Sequence, residues 1–170
     1  MLESVAYIGL GFGRATIGAI RTQIDLMLSF TYFYDHPREW EMVKTLGKGF
    51  QLRSDIEKYH KEILSKFGKN IAMIENSQGT SLSKLYGILS AHVHAQSPLT
   101  IPKAGKFEDL ISSDSFLQSL VTMQGQVVVC LSNYLVAIFV SEEISPPFDI
   151  ERRIKQQLSF AQCKAIFFAD

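Results

Sequence analysis

The sequence predicts an all-α protein, a single-domain helical bundle of about five to six helices. Three observations carry that prediction. Each long apolar pattern repeats near 3.6 residues. The chain never alternates strands with helices. Its 170 residues are 46% hydrophobic and 20% charged, enough apolar material for one real core. Residues 1–170 therefore read as one helical domain, with 148–170 as a helical extension of it.

The first segment, 3–34, contains "GLGFG". In a dinucleotide-binding turn, G-x-G-x-x-G, glycines make the turn, admit a pyrophosphate and let helix and strand pack. Gly9 and Gly11 fit the first two positions, Arg14 occupies the third, and Asp35 ends the apolar run "SFTYFYD". One long helix accounts for more. On it Ile17, Ile20, Ile24, Leu28 and Thr31 form an apolar stripe, and Gly11, Ala15 and Ala19 form a seam of small residues. Arg14, Gly18, Arg21 and Asp25 form a third stripe.

"DHPREWEMVKTL" starts a second helix, with Asp35 or His36 as cap, Pro37 in the first turn and the glycines at 47–49 as its stop. The segment 52–68 reads as a third, with Leu52, Ile56, Tyr59, Ile63 and Phe67 inward and Gly68 at its end. A short helical turn covers 70–76. Thr80 or Ser81 caps a fourth helix, "SLSKLYGILSAHVHA", whose apolar face is Leu82, Leu85, Tyr86, Leu89 and Val93. A loop with Pro98 and Pro102 follows, then a helical turn at 107–112. The helix at 114–142 is apolar nearly all round and hence central. "SPP" at 145–147 breaks the chain, and a last helix from Asp149 aligns Ile150, Ile154, Leu158, Ala161 and Ala165.

Lys plus Arg equals Asp plus Glu, 17 each, so no global basic charge points to nucleic acid, although a local patch needs none. Cys130 and Cys163 sit in apolar helical patterns and form neither a metal pair nor a disulfide framework. Glu3 and the lack of a basic leader predict no secretory signal. "VVVCLSNYLVAIFV" is short of the ~20 residues a membrane span needs. The expectation is a cytoplasmic protein away from the membrane, with no metal and no cofactor.

The stretch "LYGILSAHVHAQS" is the richest in chemistry. On a helix, Ser83, Gly87, Ser90 and His94 share a stripe, and Tyr86 lies one turn before Ser90. The structural reading has Ser90 bonded to a backbone carbonyl and His94 donating to a neighbouring helix. The functional reading has the Arg21–Asp25 stripe facing them, so that two polar stripes on apolar helices meet in one network. His92 and His94 point to different sides of a helix, which disfavours a zinc pair.

The motif Y-x-x-L-S-x-x-V-H at 86–94, preceded by I-R-x-x-I-D…Y-F-Y-D-H-P-R-E-W at 20–40, resembles a group of small prokaryotic helical proteins similar to the HEPN (higher eukaryote and prokaryote nucleotide-binding) superfamily. The resemblance covers the first hundred residues best. It implies a four- to five-helix bundle, often a dimer, and in many members a metal-independent ribonuclease of toxin–antitoxin, CRISPR or anti-phage systems. The family's motif is Arg-x(4–6)-His, with His as acid or base and Arg steadying the phosphate. Here the position four residues before His94 is Ser90. Arg53 and His60, with six residues between them, match the motif literally, although "RSDIEKYHKE" also reads as a solvated helix face.

Two functions from different classes follow. In the first, the chain binds or cleaves RNA in a prokaryotic defence or toxin–antitoxin-type system. His94 is then the acid or base, Tyr86 and Ser90 orient it, Asp25 supplies a carboxylate and Arg21 stabilises the phosphate. Arg14, Arg53 and His60 are the candidate substrate-binding residues. In the second, the chain is a non-catalytic helical subunit that assembles with its own copy as a homodimer or with a partner protein. A Rossmann-type enzyme is the third reading.

Overall fold

The computed structural model describes residues 2–94, 96 and 106–168. Helix accounts for 79% of the structure, and no strand occurs among the described residues. The loop with Pro98 and Pro102 lies outside them. Nine α-helices form among the described residues, where five to six were expected: α1 Leu2–Gly9, α2 Gly13–Asp35, α3 Pro37–Leu46, α4 Arg53–Ile63, α5 Phe67–Gln78, α6 Leu82–Val93, α7 Asp114–Ser141, α8 Phe148–Lys155 and α9 Phe160–Phe167, with a 3-10 turn at Phe107–Leu110.

Three breaks account for the larger number. The segment 3–34 is two helices. Gly11 takes φ +76, a left-handed conformation that closes α1, and Phe12 N–H donates back to the Tyr7 carbonyl at 2.8 Å. Ser112 clamps the turn: its N–H donates to the Gly11 carbonyl at 2.9 Å, and its Oγ accepts from Gly13 N–H at 3.2 Å. A Cβ on Gly13 would stand 2.5 Å from Ser112 Oγ, so the glycine answers to close packing. "GLGFG" thus joins helix to helix, which removes the strand that a dinucleotide turn requires.

The second break is at Leu64, whose extended backbone (φ −96, ψ 96) separates α4 from α5. Gly68 sits inside α5 and ends nothing. Ile56 and Phe67 are buried as expected, but Leu52 and Ile63 are exposed and His60 takes the inward place. The third break, after Lys155, splits the last segment. Ser159 starts α9 with a capping box: its Oγ accepts from Gln162 N–H at 3.3 Å, and its N–H donates to Gln162 Oε1 at 2.9 Å. Elsewhere the local signals hold. Pro37 opens α3, left-handed Gly47 closes it, and Ser81 caps α6 by accepting from Lys84 N–H.

The chain forms two compact units, and α2 and α7 each contribute one part to each. The first unit comprises residues 1–26 and 81–129. Its buried apolar side chains include Ile17, Ile20, Ile24, Leu82, Leu85, Leu89, Leu120 and Val127. A polar knot ties α1, α2 and α7 together. Ser4 Oγ donates to Gln124 Oε1 at 2.8 Å, Gln124 Nε2 donates to Gln23 Oε1 at 2.8 Å, and Gln23 Nε2 returns to Ser4 Oγ at 3.1 Å. Buried polar groups without such partners would cost ~1–3 kcal/mol each.

The second unit comprises residues 27–80 and 130–170. Its core holds Leu28, Val43, Ile56, Phe67, Ile74, Val136, Ile154 and Ile166, with Tyr134 among them. Gln78 is its polar hub. It exchanges amide hydrogen bonds with Asn133 (2.7 and 3.3 Å) and donates to Gln157 Oε1 at 2.6 Å. Both cysteines are free thiols, Cys130 buried and Cys163 half-buried. By length and composition α7 is apolar enough to cross a membrane, with 44% of its most apolar window buried inside this chain.

Candidate functional site: the α2–α6 seam

In the first unit, α2 and α6 bring together part of the constellation expected from the sequence. Arg21 Nη2 donates to the Tyr86 hydroxyl at 2.9 Å, and the guanidinium carbon lies 5.1 Å from the centre of the Tyr86 ring. Arg21 Nε faces Asp25 Oδ2 at 3.9 Å, one turn along α2. Arg14, two turns before Arg21, donates from Nη2 to the His92 carbonyl at 3.4 Å. A guanidinium there complements the negative C-terminal end of α6.

Two buried polar atoms of this seam have no hydrogen-bond partner among the described residues: Arg21 Nε and Ser90 Oγ. Ser90 thus does not donate to a backbone carbonyl, as a purely structural serine would.

His94 stands apart from this group. It caps the C-terminus of α6, with its N–H on the Ser90 carbonyl at 2.9 Å, and its side chain is exposed. Eight residues separate it from Tyr86, ~12 Å along a helix axis. His92 instead lies beside Phe116, with ring centres 6.4 Å apart. The structure joins Arg21, Asp25 and Tyr86, sets Arg14 at the end of α6, and leaves His94 on the surface beyond them.

Arg53 and His60 lie in the second unit. Arg53 Nη1 donates to Glu57 Oε1 at 2.6 Å. His60 is 1% exposed, and its Nδ1 is 2.9 Å from the Tyr134 hydroxyl. Burial pushes its pKa down to about 4, against the opposing pull of Asp35. The imidazole is therefore neutral at neutral pH and belongs to the core.

Sequence reasoning missed an aromatic cluster around His36 in the same unit. His36 stacks on Tyr32 at 4.1 Å and 7°, meets Tyr59 edge-on at 4.8 Å, and shares Nδ1 with the Tyr32 carbonyl at 2.8 Å. Tyr32 donates to Glu39 and Tyr59 to Asp35. Burial, then Glu39, pushes the Tyr32 phenol up to about 12. The signal was present in "YFYDHPREW", where Tyr32 and His36 stand one helical turn apart.

No group of three or more His, Cys, Asp or Glu side chains among the described residues is placed to hold a metal ion. Comparison with known protein families, with curated proteins and with solved structures finds no match to this chain.

Proposed function

We propose that this chain is a HEPN-like helical subunit of a prokaryotic defence or toxin–antitoxin-type system that works by assembling with another protein chain. The observation that carries this reading is a run of exposed large apolar side chains in the second unit. Between residues 30 and 52, Phe30, Tyr34, Leu46, Phe50 and Leu52 are each more than half exposed. Single exposed leucines need no explanation, but grouped large apolar side chains mark protein contacts. Phe30 and Tyr34 form a tilted pair with ring centres 6.2 Å apart. The zero net charge and the internal contacts of Arg14, Arg21 and Arg53 favour assembly over a phosphate-binding surface.

Purification from the native host, with identification of what co-elutes, tests this. Wild type is expected to carry a stoichiometric protein chain, its own or another, and Phe30→Glu with Tyr34→Glu is expected to lose it. Elution of wild type alone, as a monomer, overturns the reading.

A second reading keeps RNA as the ligand, bound or cleaved at the α2–α6 seam. What favours it is that two buried polar atoms of the seam, Arg21 Nε and Ser90 Oγ, lack a hydrogen-bond partner among the described residues, with an exposed His94 at the end of the same helix as Ser90. A panel of RNAs incubated with wild type, His94→Ala and His60→Ala decides it. Cleavage lost only in His94→Ala supports this reading. Absence of both binding and cleavage by wild type removes it.

A further inference from the structure

The last part of the second unit is an arm, α8 and α9, joined to α7 by residues 142–147. The arm is tied to itself. Lys155 of α8 pairs with Glu151 and stands over the rings of Phe167 and Phe168 at 4.7 and 5.0 Å. The Lys155 carbonyl accepts from the Cys163 thiol of α9 at 3.6 Å. Ile154, Leu158 and Ile166 are the buried apolar side chains of the arm. Two helices this short cannot bury side chains by themselves, so these three seat the arm on the rest of the unit. Gln157, between the two helices, accepts from Gln78 of α5 at 2.6 Å. The arm can thus leave its seat, or return to it, as one piece.

The connection between α7 and the arm is strained. Ile144 N–H donates to the Phe139 carbonyl at 2.8 Å, and Glu143 N–H donates to the Val140 carbonyl at 3.3 Å. This is a helix-ending turn whose left-handed position ordinarily holds glycine. Glu143 fills it at φ +61, the only non-glycine residue with positive φ among those described. Pro146 and Pro147 follow, and each favours an extended backbone in the residue before it. The same connection leaves large apolar side chains uncovered. Ile144 is 51% exposed, and Phe148, the first residue of the arm, is 73% exposed with Arg152 over its ring at 5.8 Å.

We propose that two copies of this chain exchange this arm, so that α8 and α9 of each copy dock on the second unit of the other. The exchange is separate from the contact at Phe30 and Tyr34. The seat fits the arm of a second copy because it already holds an identical one, and the exchanged dimer repeats every arm contact of the monomer. What changes lies between Ser141 and Phe148. Once the turn opens, Glu143 leaves the left-handed region and continues α7, where glutamate is a good helix former, until the prolines end the helix. Short connections under strain favour such an exchange. The two opened connections then run past each other about the two-fold axis. Ile144 and Phe148 of one copy there cover those of the other.

Gel filtration of the full chain, held at high concentration and then diluted, is the experiment, with a short bismaleimide cross-linker applied to one variant. That variant carries Gln78→Cys and Gln157→Cys with Cys163→Ser, and the buried Cys130 is left in place. Wild type is expected to form a dimer that outlasts dilution, because the arms must detach before the copies separate. In that dimer the cross-link joins position 78 of one chain to position 157 of the other and gives a covalent dimer on a denaturing gel. In the monomer it stays within one chain. Glu143→Gly is expected to weaken the dimer by about tenfold at each of its two connections, and Glu143→Asn to act in the same direction. Phe148→Ser is expected to weaken the dimer and leave the urea midpoint of the monomer unchanged. Wild type that stays monomeric, a dimer whose cross-links stay within one chain, or a Glu143→Gly dimer as tight as that of wild type overturns the exchange. If the cross-links stay within one chain and Phe30→Glu with Tyr34→Glu dissolves the dimer, the exchange fails and the assembly reading stands.

Discussion

His60 and Tyr134, 74 residues apart in sequence, share a hydrogen bond of 2.9 Å in the core of the second unit. Phe67 closes the group, with its ring 5.7 Å from His60 and 5.0 Å from Tyr134. An imidazole in that setting must stay neutral for the core to hold.

That makes stability depend on pH in one direction. The folded pKa of His60 is lowered from 6.5 to about 4. Its contribution is fully present above the unfolded value and is lost as pH falls from about 6.5 towards 4, to a total of ~3 kcal/mol. Urea midpoints of wild type should fall across that window. His60→Phe should flatten the slope, whatever it does to the absolute stability. An equal slope in both proteins would refute this assignment.

The glycines of α2 should separate by position. Gly13→Ala forces a Cβ to within 2.7 Å of the Phe116 ring as well as onto Ser112, and should cost ~1–3 kcal/mol. Gly18→Ala meets nothing within 4 Å and should stabilise by up to ~1 kcal/mol. Chemical denaturation of the two variants beside wild type decides it, and equal effects would contradict the packing described at the α1–α2 turn.

Glu143, two residues past the end of α7, takes φ +61, a left-handed backbone that strains a non-glycine residue. Glu143→Gly relieves a left-handed non-glycine backbone and should raise stability by ~0.5–1 kcal/mol after the extra entropy of glycine in the unfolded chain is subtracted. Thermal and urea denaturation read it directly. A loss of stability would mean that the carboxylate is held by a contact worth more than the strain.

Two histidines give opposite outcomes. His94→Ala removes an exposed ring and should shift stability by less than ~0.5 kcal/mol. His60→Ala opens a cavity and leaves the Tyr134 hydroxyl without its partner, for ~2–5 kcal/mol. Tyr86→Phe, which keeps the ring under Arg21 and deletes the hydroxyl, should cost only ~1 kcal/mol. Calorimetry on the three variants tests the order.

The sequence by itself determined that the described chain is helical and where most of the helices start. Those properties are local. The 3.6-residue apolar period and the signals at Pro37, Gly47 and Ser81 act within a turn or two of the backbone. Part of the α2–α6 seam was legible for the same reason, since Arg21, Asp25, Tyr86 and Ser90 repeat at helical spacing.

Only the tertiary structure decided the breaks and the true core positions. Gly13 needs to be glycine because of Ser112, 99 residues away. In "DIEKYHKEI", Tyr59 and His60 stand side by side and sequence favours the tyrosine as the inward residue. Tyr134 and Phe67 reverse that order by supplying a hydrogen bond and an aromatic wall that make a buried imidazole affordable. Periodicity reports which residues can share a face, whereas burial depends on what the opposite face presents. That second surface comes from distant parts of the chain, beyond the reach of any local pattern.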